Sequence, residues 1–256
     1  MTIRRRAAGG TDGERRAAGM IRPFIGALAV ILLSLRLALL PAAADKPAAV
    51  RSGDGGAFFL EGTSLYLSFA AMDLDGARVL GNADQVFFVP RLKPSLGFGI
   101  GFGRRFRSGL WSVSYLVSGH DATLRGRDSS AVSRLVQVNA RTFLARSSAL
   151  RPFLHLGLNF PWLKVRDGVA DRDGRLHDAR YAGLGVNIGA GALAPVSERM
   201  FFSASLLYRY NGYLYAYGPV KGIDVTDLFD DVTGPRHTRF LRAPVIALEL
   251  SLGYEL

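Results

Sequence analysis

The fold is decided by the stretch SLGFGIGFG, residues 95–103. Its large apolar side chains occupy every second position, and glycines and one serine stand between them. Side chains of a β-strand alternate between its two faces, so this stretch has one apolar face and one face of small residues. Repeated glycine on one face of a strand is typical of a sheet surface against which another backbone or side chain packs closely. The stretch therefore predicts a strand whose small face lines a narrow interior.

The same alternation recurs from Phe58 to Leu256 and predicts eight strands. None of these segments has the sustained period of 3.6 residues that would favour a helix. The expected strands are Phe58–Ala71, Val86–Gly103, Leu110–Gly119, Ser133–Ala145, Pro152–Val165, Arg180–Leu193, Met200–Tyr217 and Phe240–Leu256.

Short and long connections alternate between these strands. The expected short turns lie near residues 105–108, 147–149 and 195–198, and the expected long polar loops at 72–85, 120–132, 166–179 and 218–239. Outer-membrane barrels have short periplasmic turns and longer external loops. We therefore predict an all-β fold, an eight-stranded antiparallel up-and-down transmembrane β-barrel. Ten strands are the alternative, if the last long loop forms an additional hairpin.

A soluble ligand-binding barrel is the structural rival, because its strands also alternate. Its polar face would meet water and carry many lysines and glutamates, whereas the polar face here consists mostly of Gly, Ser, Asn and Gln. Such a face suits a crowded lumen, with the apolar face turned to lipid. A closed barrel is one of only two structures that pair every backbone group in lipid. The sequence therefore favours the cell outer membrane.

The N-terminal segment predicts export. An apolar run at residues 24–35 follows Arg22 and precedes the small-residue cleavage signal Ala42-Ala43-Ala44. Residues 1–44 are thus a predicted signal peptide, 45–57 a periplasmic lead-in and 58–256 the barrel. A transmembrane helix is the alternative, but the run is shorter than the roughly 20 residues of a span, and Arg36 ends it. We hypothesise that Met20 is the true start.

Composition excludes several classes of protein. The net charge of +11 falls to +6 without residues 1–44, which leaves 25 basic and 19 acidic residues with no continuous basic stripe. Nucleic acid is therefore not an expected partner. The chain has no cysteine, so disulfides, thiolate metal sites and cysteine nucleophiles are excluded. No phosphate-binding loop, dinucleotide fingerprint or metalloprotease motif occurs.

The glycine-alternating run at residues 96–102 and the ending LELSLGYEL, residues 248–256, resemble the small outer-membrane β-barrel superfamily. That group includes the transmembrane domain of OmpA and the OmpW and opacity-type barrels. The resemblance implies a porin-like barrel in a Gram-negative cell envelope and the outer-membrane assembly machinery as a partner. In the family the last strand usually ends in an aromatic residue, whereas this chain ends in Leu256 with Tyr254 two places earlier.

Polar residues on the small face predict a network inside the lumen. Its expected members are Gln137, Asn139, Arg141, His155, Asn159, Asn187, Arg209 and Glu249. We expect Arg141 or Arg209 to pair with Glu249. The interior of eight strands is only wide enough for side chains. A plug of salt bridges and hydrogen bonds is therefore predicted, with a gated pore as the alternative.

Two further groups of residues are assigned to the outer end of the barrel. An outer aromatic girdle is expected at Tyr208, Tyr210, Tyr213 and Tyr215, with a bulge at Asn211-Gly212 that shifts the alternation. Contacts with lipopolysaccharide phosphates are expected from Arg125, Arg127, Arg172, Arg175 and Arg180 in the outer loops.

The histidines and acidic runs do not predict a catalytic or metal site. His120-Asp121 and His177-Asp178 are expected in solvated outer loops, and the His-x-Ser arrangement of the lipid A deacylase barrels is absent. The run from Asp171 lacks the glycine and glutamate that a calcium loop needs at its sixth and twelfth positions. The acidic run Asp224–Asp231 is expected to be a solvated loop, with weak binding of a divalent cation as the alternative. No cofactor or metal is expected.

These observations favour a monomer with a structural or surface-interaction role, without enzymatic activity, that displays its loops outside the cell in contact with outer-membrane lipid and lipopolysaccharide. The alternative is a narrow channel or carrier for small or apolar molecules, which a lumen lined by large apolar residues would favour. A lipid A-modifying enzyme is the third hypothesis.

Overall fold

A computed structural model describes residues 56–69, 79–81, 85–144, 149–219, 222–224 and 241–256. The predicted signal peptide, most of the lead-in and the acidic run beyond Asp224 lie outside the described residues. No helix in the described part of the chain is long and apolar enough to cross a membrane.

The described residues form twelve β-strands. Their bounds are β1 Phe58–Phe69, β2 Val79–Gly81, β3 Gln85–Phe88, β4 Arg91–Leu92, β5 Ser95–Phe106, β6 Gly109–Leu124, β7 Arg127–Phe143, β8 Arg151–Asp171, β9 Leu176–Pro195, β10 Met200–Tyr217, β11 Gly222–Asp224 and β12 Leu241–Glu255.

Eight of these strands close into a ring. Strands β1, β5, β6, β7, β8, β9, β10 and β12 pair antiparallel in that order, and β12 pairs back onto β1. Thr63 of β1, for example, lies opposite Gly99 of β5 on one side and opposite Ser251 of β12 on the other. Strand β11 pairs with the end of β10 without entering the ring. The predicted eight-stranded antiparallel barrel is confirmed.

The outward face of the ring carries a belt of exposed apolar side chains. Leu96 of β5 is 75% exposed and Leu158 of β8 is 56% exposed, whereas the residues between them in the alternation face the lumen. The belt also includes Phe98, Ile100, Phe102, Val113, Tyr115, Val138, Leu154, Leu156, Leu184, Val186, Ile188, Leu206, Ile246 and Leu252. Such a continuous apolar surface is compatible with lipid and not with water.

At one end of the barrel, residues that were expected in long loops belong to extended strands. Residues 120–132 were expected to be a loop, but β6 and β7 run through them and join at a two-residue turn, Arg125-Gly126. Both turn residues have positive φ, 48° and 82°, as a type I′ hairpin requires. Residues 166–171 and 176–179 likewise form the outer ends of β8 and β9, and residues 172–175 form the turn between them. Polar sequence indicated a loop, but strands that rise above the membrane carry polar residues as well.

The second predicted strand, Val86–Gly103, is also shorter than expected. The barrel strand β5 begins at Ser95, and residues 85–92 form a separate segment that we call the strap. Pro90 and Pro94 flank its second half, and proline cannot donate a hydrogen bond to a strand ladder. The strap pairs with β8 through Phe87 opposite Val169, and with β6 through Leu92 opposite Ala122. It therefore crosses the inner side of the β6–β7 hairpin.

The lumen is packed in layers. The lower cluster, at the end with short turns, consists of Phe59, Leu110, Phe143, Phe153, Leu193 and Phe201. The middle cluster consists of Leu65, Leu116, Leu135, Leu207, Val245 and Ala247. The upper cluster includes Phe87, Phe88 and Leu92 of the strap with Leu163, Val165, Val169, Tyr181, Tyr213, Leu241 and Ala243 of the wall. Polar residues occupy the lumen between the lower and middle clusters and between the middle and upper clusters.

Candidate functional site

The first ion pair inside the lumen joins β7 to β1. Arg141 donates two hydrogen bonds to Glu61, from Nη1 to Oε1 at 2.8 Å and from Nη2 to Oε2 at 3.2 Å. Ser203 of β10 donates to the same carboxylate at 3.3 Å. Both charged side chains are buried. This two-bond geometry matches the planar fork of a guanidinium to a carboxylate and ties together strands on opposite sides of the ring.

The second ion pair lies farther along the lumen. Arg209 of β10 binds Glu249 of β12. Gln137 of β7 accepts a hydrogen bond from Arg209 at 3.1 Å and donates one to Glu249 at 3.3 Å. Glu249 thus pairs with Arg209, while Arg141 pairs with Glu61, which was not among the predicted lumen residues. Glu61 alternates with Phe59, Thr63 and Leu65, and this alternation is the signal that marks it as inward-facing.

A chain of asparagines connects four strands beside these pairs. Asn187 donates to Asn159 at 2.9 Å and to Asn139 at 3.2 Å, and Asn159 donates to Asn211 at 3.4 Å. His155 is also buried in the lumen, but neither of its ring nitrogens bonds to a described residue. All eight residues of the predicted network therefore face the lumen, and seven of them are joined by the hydrogen bonds and ion pairs just described.

The lower cluster pairs phenylalanine with glycine on neighbouring strands. Phe59 lies opposite Gly103, Phe153 opposite Gly191, and Phe201 opposite Gly253. A side-chain carbon at any of these glycines would lie within 2.6 Å of the facing ring. Each ring therefore covers a bare stretch of backbone, a contact that also shields glycine backbone from water. Glycine in these strands is a packing requirement of the lumen.

The strap fills the opposite end of the lumen. Phe87 is fully buried and meets Tyr181 edge to face, with ring centroids 6.3 Å apart. The hydroxyl of Tyr181 donates to the backbone carbonyl of Phe88 at 3.1 Å. The guanidinium of Arg125 lies 5.1 Å from the centre of the Phe88 ring. The outer mouth is thus closed by apolar packing, a feature that strand alternation did not predict.

His120 contacts the residues that join the strap to β5, and its position differs from the predicted one. It was expected in a solvated loop, but it lies on β6 and is 3% exposed. Its Nε2 is 2.8 Å from the hydroxyl of Ser118 and 3.3 Å from that of Ser95, and its Nδ1 is 3.2 Å from the carbonyl of Lys93. A histidine therefore does stand beside a serine on one strand, and its ring connects that strand to the end of the strap.

Tyr213 corrects the predicted aromatic girdle. Tyr208, Tyr210 and Tyr215 lie on the outer side of β10, but Tyr213 is fully buried in the upper cluster. The register of β10 against β9 shifts between Tyr213 and Tyr215, not at Asn211-Gly212. Because the bulge comes two residues later than expected, Tyr213 keeps the inward face, and the alternation changes only after it, so that Tyr215 and Tyr217 face outward.

Two external hairpins carry four of the five arginines expected to contact lipopolysaccharide, whereas the fifth, Arg180, was expected in a loop and lies on β9 in the barrel wall. Arg125 and Arg127 lie at the tip of the β6–β7 hairpin, and Arg172 and Arg175 at the tip of the β8–β9 hairpin; all four are exposed.

Asp171 organises the second of these tips. Its carboxylate accepts hydrogen bonds from His177 at 2.9 Å and from the backbone N–H groups of Arg175 at 2.8 Å and Asp173 at 3.0 Å. These bonds, the one from His177 first, lower the pKa of Asp171. His177 was expected to be merely solvated, and it instead helps to fix this turn. The described residues contain no group of three or more side chains arranged to hold a metal ion.

The apolar belt and the closed ring of strands together indicate a membrane location for the protein. An apolar surface encircles the barrel, every long strand is paired on both sides, and the charged lumen residues are buried in pairs. A closed antiparallel ring of this kind satisfies its backbone groups without water, as outer-membrane barrels do. The protein is an outer-membrane β-barrel.

No protein-family model matches the chain, and no curated protein matches it. Among solved structures it is similar to Neisserial surface protein A, with 14% identity over 78% of this chain and 97% of that one, at a TM-score of 0.47. It is similar to the outer membrane protein OprG from Pseudomonas aeruginosa, with 16% identity over 81% and 99% of the two chains, at 0.43. It is also similar to Ail of Yersinia pestis, with 12% identity over 80% and 100%, at 0.39. Likeness at this level says nothing about the ligands or partners of this chain.

Proposed function

We propose that this outer-membrane barrel acts as a structural and surface-interaction protein, as a monomer without enzymatic activity. The observation that carries the proposal is the filled lumen, in which two buried ion pairs lie between apolar clusters and the strap closes the outer mouth. Eight strands leave an interior that side chains can fill. The external hairpins are then the parts of the molecule available for contact, held in place by a rigid wall.

Lipopolysaccharide is the partner that the hairpin tips suit best. Arg172 and Arg175 are exposed beside a turn that Asp171 fixes, so their backbone positions are defined before binding. Guanidinium groups bind phosphate through two parallel hydrogen bonds. We infer that they contact the phosphorylated sugars that project above the membrane surface, with Arg125 and Arg127 of the neighbouring hairpin in support.

Reversing the charge at one hairpin tip tests this contact. The double variant Arg172→Glu, Arg175→Glu should bind full-length lipopolysaccharide at least fivefold more weakly in a micelle titration, and the deficit should shrink as salt rises. Arg199→Glu, an exposed change in the turn at the opposite end of the barrel, should leave the affinity unchanged. Equal affinity for the tip variant and the wild type would contradict the proposed contact.

The outer-membrane assembly machinery is a second proposed partner. Tyr254 near the end of β12 faces outward and is 45% exposed, which leaves an aromatic ring accessible two positions before Leu256. Arg105 of β5 binds Glu255 of β12 across β1, and this ion pair fixes that end of β12 once the ring is complete.

A carrier for small apolar molecules is the second candidate function, favoured by a break in the wall beside apolar lumen residues. Pairing between β8 and β9 is interrupted at Phe160 and Pro161, because proline has no N–H to donate. Pro161 faces inward and lines a cavity of about 10 Å³, whose other lining residues are the apolar Leu65, Leu116, Leu135 and Val245 and the polar Ser118, Ser133, Arg209 and Asn211. The upper cluster beyond it is apolar as well. An apolar molecule would need the strap to move.

Locking the strap separates the two functions. The chain has no cysteine, and Phe87 lies directly opposite Val169, so Phe87→Cys with Val169→Cys can tether the strap to β8. If the barrel is closed, vesicles containing the reduced or the oxidised variant should take up an apolar fluorescent probe no faster than protein-free vesicles. A carrier would show uptake that falls at least tenfold on oxidation and returns on reduction. The pair Thr123→Cys, Asp128→Cys, opposite each other within the β6–β7 hairpin, is the matched control.

A further inference from the structure

The outward face of β7, β8 and β9 interrupts the apolar belt with a group of cations. Arg134 of β7 points outward, and its neighbours across the ladders are Val117 of β6 and Trp162 of β8. A cation with apolar neighbours on both sides, on a surface that faces lipid, is unfavourable at a depth where it finds no polar partner. Arg134 therefore indicates the level at which the apolar belt meets the headgroups, and it indicates a partner there.

Two more cations stand beside it. Lys164 lies two positions beyond Trp162 on the same face of β8, directly opposite Arg180 of β9. Like charges directly opposite each other in a sheet destabilise the pair. Asp178 binds Lys164 at 2.8 Å and offsets one of these charges. Three cations against one carboxylate leave an excess of positive charge on a single face, next to an outward-facing tryptophan that is 44% exposed.

We propose that Arg134, Lys164 and Arg180, together with Trp162, form a binding site on the barrel wall for the phosphorylated headgroup of an outer-leaflet lipid, lipid A. Diagonal and opposite positions on neighbouring strands are about 5–8 Å apart, so one phosphate can reach more than one of the three cations. The two arginines bind phosphate oxygens bidentately, and Lys164 adds a point charge. Trp162 rests at the interface between acyl chains and headgroups, where tryptophan is favoured.

This site is distinct from the hairpin tips. Arg127 is seven residues beyond Arg134 along β7, which corresponds to about 23 Å along the strand. The wall site therefore binds the phosphorylated headgroup of lipid A at the membrane surface, whereas the hairpin tips contact the sugars above it. The wall site rests only on the outer-membrane location of the barrel and holds whether or not the hairpin contacts are made.

The test follows binding through Trp162. The chain has two tryptophans, so Trp111→Phe leaves Trp162 as the only one. In zwitterionic micelles we expect lipid A, which lacks the core sugars, to shift the emission of Trp162 saturably. Arg134→Gln with Arg180→Gln should weaken that binding at least tenfold, and the Lys counterparts of both should weaken it two- to fivefold. The matched control, Arg172→Gln with Arg175→Gln, removes the same charge from the hairpin tip and should change it less than twofold.

Three results would overturn the wall site. In the first, the wall and tip variants lose affinity for lipid A equally. In the second, the wall variant binds lipid A as tightly as the parent protein does. In the third, dephosphorylated lipid A binds as tightly as the phosphorylated form. Competition by millimolar inorganic phosphate alone would assign the site to free phosphate and overturn the lipid assignment. Far-UV circular dichroism and the heat-dependent shift in gel mobility establish that each variant is folded. A wall variant that does not fold is replaced by the pair of lysine substitutions, which keeps the charge.

Discussion

Arg141→Met should lower the free energy of unfolding by about 3–5 kcal/mol, because it leaves the buried carboxylate of Glu61 without its charged partner. Ser203 is the only other side chain that donates to that carboxylate among the described residues, and one hydroxyl cannot replace two charged hydrogen bonds. Urea unfolding in phosphatidylcholine vesicles, followed by tryptophan fluorescence, measures the loss.

A second substitution distinguishes an unpaired charge from lost packing. Arg141→Met combined with Glu61→Leu removes both charges, and a buried ion pair replaced by apolar residues is often neutral or stabilising. We expect the double variant to recover most of the lost free energy. Lys164→Met, which breaks an exposed pair with Asp178, should change it by only about 0–1 kcal/mol. If the double variant is as unstable as the single one, the ion pair is not the reason for the loss.

Gly253→Ala should destabilise the barrel by about 1–3 kcal/mol, because its new methyl group would lie 2.0 Å from the ring of Phe201. The ring cannot simply turn away, since Phe59 packs against it edge to face with centroids 5.3 Å apart. The loss appears as a lower urea midpoint in the same vesicle assay.

Shortening the facing side chain should relieve this clash. Phe201→Leu in the Gly253→Ala background is expected to be more stable than the sum of the two single changes indicates, because the two positions are in contact. Gly62→Ala on β1 serves as the control, since the nearest atom to its new carbon is the carbonyl oxygen of Leu252 at 4.0 Å. Strict additivity at positions 201 and 253 would show that the ring and the glycine are not coupled.

The alternation of the chain was sufficient to predict the eight-stranded ring and the two faces of its wall. Period two is a local property, so residues 95–103 display it without reference to any other strand. The pairing of Phe201 with Gly253 was not accessible in this way, because it depends on the register between strands whose positions in the sequence are far apart. The same limit applies to the pairing of Arg141 with Glu61, a residue that was not among the predicted lumen residues although it alternates with Phe59, Thr63 and Leu65.

The separate strap and the inward orientation of Tyr213 were not predicted, for reasons that lie in the local sequence. The alternation from Val86 continued into Ser95 and indicated one strand, although Pro90 and Pro94 signalled a break between them. A bulge was expected at Asn211-Gly212, ahead of Tyr213, but the register shifts only after Tyr213, so that side chain keeps the inward face. Both errors concern the outer end of the barrel, where the chain departs from regular pairing.

The long-range pairings of the strap and of the first barrel strand affect the order in which the barrel folds. Its strand β3 bonds to β8, and the first barrel strand meets the last through Thr63 and Ser251, which are 188 residues apart in the chain. Contacts between such distant residues require closure of a long loop before they yield any stabilisation, and they therefore form slowly. We expect the pairings of β1 with β12 and of β3 with β8 to form last. Until then the growing sheet presents two unpaired edges, which is the stage at which this protein is most exposed to aggregation.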